Sequence, residues 1–99
     1  MTNHPKRSYY LTTTVTMDDT DREMRLSTHA SLFLALWAMH DLTTPLTGTP
    51  VDVDLWVDGR LIPQEWAYRA MARVVGGEFS RKTPAATETI LSESLPEAR

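Results

Sequence analysis

The sequence predicts an α+β fold of order β-β-α-β-β-α, an antiparallel four-stranded sheet with two helices packed on one face. Three observations predict it. Two stretches of apolar/polar alternation each double back at an aspartate-rich turn, each is followed by a run of strong helix formers, and a Pro/Gly-rich break separates the two halves. A chain of 99 residues, 41% hydrophobic, suits one domain with a modest core.

The first strand is Tyr9 to Met17, where Leu11, Val15 and Met17 alternate with Thr12, Thr14 and Thr16. Its β-branched residues favour extended backbone. Asp18-Asp19-Thr20-Asp21 is rich in turn formers, and alternation resumes with Met24 and Leu26. A four-residue loop there sets Met17 opposite Arg22, Val15 opposite Met24 and Thr13 opposite Leu26, gathering Leu11, Val15, Met24 and Leu26 on one face. Thr20-Asp21-Arg22-Glu23 also matches a capping box, which would open a helix from Asp21 to Leu42. The alternation favours the hairpin.

Ala30 to Leu42 is a run of helix formers with Ser27 or Thr28 available as N-cap. It is apolar nearly all round, so both sides are covered or one side is an interface, for example with a second copy. Thr43 to Pro50, with two prolines and a glycine, is a loop. Val51 to Val57 alternates again. Asp58-Gly59 is the preferred pair of a two-residue type I′ turn, and Arg60-Leu61-Ile62 returns until Pro63. The turn sets Val57 opposite Arg60, Trp56 opposite Leu61 and Leu55 opposite Ile62. One face then carries Val51, Val53, Leu55, Val57 and Ile62, and the other carries Asp52, Asp54, Trp56 and Leu61. The last helix starts with Pro63 at its first position, buries Ala67, Ala70, Met71 and Val74, and ends at Gly76-Gly77. Residues 1–8 read as a flexible arm, 9–79 as the domain and 80–99 as a mobile tail in which Ile90, Leu91 and Leu95 alone could dock.

Composition excludes several classes of function. The absence of cysteine removes disulfide scaffolds, thiolate metal sites and cysteine nucleophiles. The longest apolar run, Leu32 to Met39, has eight residues against the roughly 20 needed to cross a bilayer. Lys6 and Arg7 are followed by Ser-Tyr-Tyr-Leu-Thr rather than an apolar signal core, so a cytoplasmic protein without membrane contact is expected. The net charge of −3 is unevenly spread. Residues 1–58 set Lys6, Arg7, Arg22 and Arg25 against eight carboxylates, whereas residues 59–87 set Arg60, Arg69, Arg73, Arg81 and Lys82 against Glu65 and Glu78.

Chemical constellations are weak. Asp54, Asp58, Gly59, Leu61 and Glu65 fit positions of a calcium loop, but Trp56 occupies a ligand position and a strand and Pro63 stand where helices belong. His4, His29 and His40, the last beside Asp41, supply imidazoles, yet adjacent helical residues point to different sides and no spacing fixes a catalytic set. Gly76-Gly77 follows a helix, which is the wrong end for phosphate. The Thr12, Thr14 and Thr16 ladder is ordinary β-propensity. No catalytic residue, metal or cofactor is expected.

Two binding surfaces remain. Trp56 and Leu61, an apolar island rimmed by Asp52 and Asp54, have the composition of a protein-interface anchor. Arg60, Arg69, Arg73, Arg81 and Lys82 form a basic strip that could touch phosphates, although intrahelical pairing of Arg69 and Arg73 with Glu65 competes with that role. The expected function is therefore a non-enzymatic protein-binding module, with a nucleic-acid-binding accessory protein as the alternative. Small, mildly acidic, cysteine-free single domains are common among inhibitors encoded by phages and plasmids, anti-CRISPR proteins among them, although no motif in this chain identifies such a family. Size and composition alone thus add the expectation of an inhibitor that acts by occluding a partner protein.

Overall fold

The computed structural model describes residues 8–79, 88, 89, 91 and 93–95. The elements follow the predicted order: β1 (Tyr9–Met17), β2 (Thr20–His29), α1 (Leu32–Thr43), β3 (Asp54–Val57), β4 (Arg60–Leu61) and α2 (Gln64–Val75). The four strands form one sheet in the order β2-β1-β3-β4, every neighbour antiparallel. Leu11, Leu55, Val57 and Ile62 on one face of the sheet close a core with Leu32, Leu36 and Met39 of α1 and with Ala67, Ala70 and Val74 of α2.

The first hairpin is tighter than the sequence suggested. Its loop is Asp18-Asp19 alone, both at positive φ (52° and 62°), so Met17 pairs with Thr20, Val15 with Arg22 and Thr13 with Met24. Two positive φ values define the type I′ turn whose twist matches that of the strands, and aspartate is one of the few side chains that tolerates that region. The four-residue loop and the pairing of Val15 with Met24 are thus corrected. The helix that the capping box would have opened at Asp21 is strand instead. A bulge supplies a second change: Thr12 pairs with Arg25 but Leu11 with Ser27, which leaves Leu26 as the extra residue. Leu26 reaches the core, whereas Met24 is 49% and Met17 55% exposed. Burial falls along β1 from Tyr9, Leu11, Thr12 and Thr13 to exposed Thr14, Thr16 and Met17, so the tip of the hairpin stands clear of the helices.

Because β2 runs to His29, the cap of α1 moves from the expected Ser27 or Thr28 to Ser31, whose Oγ accepts from Leu34 N at 3.2 Å. Glu88 completes that helix end. Its Oε1 accepts from the backbone N–H groups of Leu32 and Phe33, and its Oε2 from the Tyr9 hydroxyl at 2.9 Å. A carboxylate at the positive end of a helix satisfies both the free donors and the dipole. The apolar girth of α1 is explained by cover on two sides: Leu32, Phe33, Ala35, Leu36 and Met39 are buried between the sheet, α2 and Leu91, and Leu34 stays 52% exposed.

The second hairpin has the predicted register, Trp56 opposite Leu61 and Val57 opposite Arg60, with Ile62 N donating to Leu55 O at 2.9 Å. Asp58 and Gly59 take φ of 52° and 78°, as a type I′ turn requires. Strand β3 begins at Asp54 rather than Val51, and Pro63 is the N-cap of α2, one place earlier than expected. The arm and tail expected over 1–8 and 80–99 lie largely outside the described residues. Ser8 N donates to Asp58 Oδ1 and Ser8 O accepts from Asp58 N, Leu91 is fully buried, and Leu95 packs at the edge of the core.

Candidate functional site

The pleat assigns every second residue of β1 to the face away from the helices. Tyr10, Thr12, Thr14 and Thr16 therefore share that face with Glu23 and Arg25 of β2, Asp54 and Trp56 of β3, and Leu61 of β4. Among the described residues, no helix packs on it. Tyr10 and Trp56 are directly opposite and stack, with ring centroids 5.7 Å apart and planes within 8°. The Arg25 guanidinium lies 4.0 Å from the centre of the Tyr10 ring. Arg25, Tyr10, Trp56 and Leu61 thus form one row across all four strands, held by a cation–π contact, an aromatic stack and a cross-strand apolar pair.

Polar bonds fix the row from beneath. Trp56 Nε1 donates to Thr12 Oγ1 at 2.9 Å, and Thr12 Oγ1 donates to Glu23 Oε1 at 3.1 Å. Thr12 is nearly inaccessible, while Trp56 is half-buried and Leu61 is 50% exposed. The indole keeps an accessible apolar surface with its polar handle satisfied inside the sheet. Such a ring loses little conformational freedom when a partner covers it.

The sequence-derived residues are distributed as follows. Trp56, Leu61 and Asp54 share the outer face. Asp52 precedes the strand: its carbonyl accepts from Thr13 Oγ1 at 2.8 Å. Its carboxylate acts on Tyr68 of α2, whose hydroxyl pKa is raised by burial first and then by Asp52 and Asp54. Tyr10 and Arg25 were missing from the sequence-based site. The two-residue spacing of Tyr10 and Thr12 already puts Tyr10 on that face, but its neighbours on β2 and β3 depend on the bulge and on the β1–β3 pairing.

Two residues of the basic strip are engaged by carboxylates. Arg69 pairs with Glu65, and Arg73 forms a two-point contact with Glu78 at 2.9 and 3.0 Å that raises the arginine pKa and lowers that of the glutamate. Both arginines line a shallow pocket of about 250 Å³ with Trp66, Ala70 and Ser94. Arg60 is exposed in the second hairpin, and Arg81 and Lys82 lie outside the described residues.

Groups able to do chemistry stay scattered. Ser27 Oγ and His29 Nε2 are 2.8 Å apart, but among the described residues no hydrogen bond orients the other imidazole nitrogen. His40 Nδ1 is 3.7 Å from Asp41 Oδ1, and its ring packs edge-on to Trp37 with centroids 5.9 Å apart. No cluster of three or more metal-ligating side chains occurs among the described residues. Asp58, which the calcium-loop pattern would use, accepts the Ser8 N–H through Oδ1 at 2.8 Å in a hairpin turn. No helix is long and apolar enough to cross a membrane among the described residues. No known protein family, curated protein or solved structure matches the chain.

Proposed function

We propose that the chain is a non-enzymatic protein-binding module that engages another protein through the outer face of its sheet, with Trp56 as the central anchor. The observation that carries this reading is the row Arg25–Tyr10–Trp56–Leu61, an ordered aromatic strip on a sheet face that no helix covers among the described residues. Its composition, with tryptophan, tyrosine and arginine at the centre and Asp54 and Glu23 around them, is that of interface hot spots inside a polar rim. The size and charge of the chain favour the inhibitors that phages and plasmids encode, and in this reading it acts by occluding its partner's surface.

Nucleic acid fits this face less well. A base-stacking platform offers open ring faces. Here Tyr10 is sandwiched between Arg25 and Trp56, so both of its faces are occupied. The pairing of Arg69 with Glu65 and of Arg73 with Glu78 likewise competes with phosphate on the helical side.

The test is a nuclease-treated pull-down with the tagged chain, its Trp56→Ala variant and its Arg69→Ala/Arg73→Ala variant, with thermal melts run alongside. A stoichiometric protein captured by the parent and the arginine variant is expected to bind the tryptophan variant at least about thirtyfold more weakly, the ~2 kcal/mol of a central anchor. Unchanged capture by a folded Trp56→Ala variant overturns the reading. Recovery of nucleic acid without nuclease, lost in the arginine variant, would replace it.

A further inference from the structure

The two edges of the sheet are unlike. Strand β4 is two residues long and stops before Pro63, so it offers almost no free ladder. Strand β2 is ten residues long, contains neither proline nor glycine, and is exposed from Thr20 to Arg25. We infer that the β2 edge is a self-association surface on which a second copy of this chain pairs antiparallel about Met24, joining two sheets into one of eight strands.

The register follows from geometry and charge. In a two-residue type I′ hairpin the residues flanking the loop, Met17 and Thr20, form a hydrogen-bonded pair, and alternation then directs the N–H and C=O groups of Asp21, Glu23 and Arg25 away from β1. These are the groups that a further strand can use. Two copies related by a dyad across one sheet must place same-face residues opposite each other, so the dyad passes through a residue rather than between two. Centring on Arg22 sets Asp21 against Glu23, centring on Glu23 sets Asp21 against Arg25 but opposes Glu23 to itself, and centring on Arg25 opposes two guanidinium groups. Centring on Met24 alone puts each Glu23 opposite Arg25 of the second copy, twice, in hydrogen-bonded positions.

The same register pairs the half-exposed Met24 with its own copy at the closest-approach, non-hydrogen-bonded position, and sets Arg22 beside Leu26 of the second copy. Pairing ends where the Leu26 bulge breaks the alternation. Charges on an edge strand ordinarily guard it against a second strand, because like signs meet. In this strand the Met24-centred register makes opposite-charge pairs without opposing any like charges. The dyad stands perpendicular to the sheet and leaves both Trp56 faces open on one side of the dimer, while Glu23 and Arg25 are shared between that face and the β2 edge.

The experiment uses the full chain, which has no cysteine of its own. Met24→Cys, at the dyad, is expected to form a disulfide-linked dimer on mild oxidation at least tenfold faster than Met17→Cys at the hairpin tip. Opposite residues at such a position lie within disulfide range. In sedimentation velocity, Glu23→Arg is expected to raise the dimer dissociation constant at least tenfold, and the swap Glu23→Arg/Arg25→Glu to restore it, with circular dichroism confirming the fold of each. A parent chain that stays monomeric at high micromolar concentration overturns the inference. Equal oxidation rates for the two cysteines, or a dimer indifferent to Glu23→Arg but lost in Leu34→Asp on α1, would do so too.

Discussion

The two β-hairpins use the same turn and lead opposite lives. Both are closed by two residues at positive φ, Asp18-Asp19 in the first and Asp58-Gly59 in the second. The second is short and its apolar residues Leu55, Val57 and Ile62 go straight into the core. The first is nine and ten residues long, and β1 is buried only at its root, at Tyr9 and Leu11 to Thr13, while Met17 and Met24 face solvent at its tip. Alternation alone does not distinguish the two, because it reports a two-faced strand and not what covers either face. What decides is reach. At about 3.4 Å per residue, β1 extends some 30 Å, and the 12-residue helices beneath it, each about 18 Å long, cover its root but not its tip.

The largest effect expected from this contrast is on stability. Leu55→Ala, fully buried at the root of the second hairpin, should cost about 2–5 kcal/mol in urea unfolding, the range for deleting a core leucine side chain. Met17→Ala at the tip of the first should change stability by less than about 0.5 kcal/mol. Comparable losses from the two would mean that the tip is packed against something, and the contrast between the hairpins would fail.

A smaller effect separates the turns. Gly59 has φ of 78° with open space where a Cβ would stand, so Gly59→Ala should cost about 1 kcal/mol from backbone strain alone. At the equivalent position of the first turn, Asp19 already bears that strain at φ of 62°. Asp19→Gly should therefore gain roughly 0.5 kcal/mol, read as a higher urea midpoint with unchanged slope. A loss of stability from Asp19→Gly would show that the aspartate side chain itself holds the turn.

How much of this was legible in the sequence depends on whether the deciding contact is local. Asp-Gly between alternating runs specifies its turn and register, so the Trp56–Leu61 pair could be read directly. Asp18 to Asp21 contains four turn formers, and nothing local says which two make the loop. The bulge at Leu26 is equally silent, and it helps set which β2 residues flank Tyr10. Strand β3 starts late, and beyond the end of the β1–β3 ladder the Asp52 carbonyl takes the Thr13 hydroxyl as its donor, a side-chain contact that alternation does not encode. Glu88 is the extreme case: its carboxylate caps a helix 55 residues earlier in the chain, a relation that no local pattern encodes.

The smallest expected effect tests the root of the first hairpin from the side of its last residue. His29 pairs with Tyr9, its Nε2 contacts Ser27 Oγ, and burial holds its pKa below the ordinary 6.5. The folded chain therefore takes up this proton less readily than the unfolded chain. By linkage its contribution to stability is full above pH 6.5 and is lost as pH falls from there through the depressed folded value. Urea midpoints should decline over that window in the parent and flatten in His29→Gln, which keeps a polar side chain beside Ser27 without a titrating group. An unchanged slope in His29→Gln would place the proton uptake elsewhere. A slope that also disappears in Met17→Ala would tie the root to the tip and make the long hairpin one cooperative unit, against the division drawn between its buried and exposed halves.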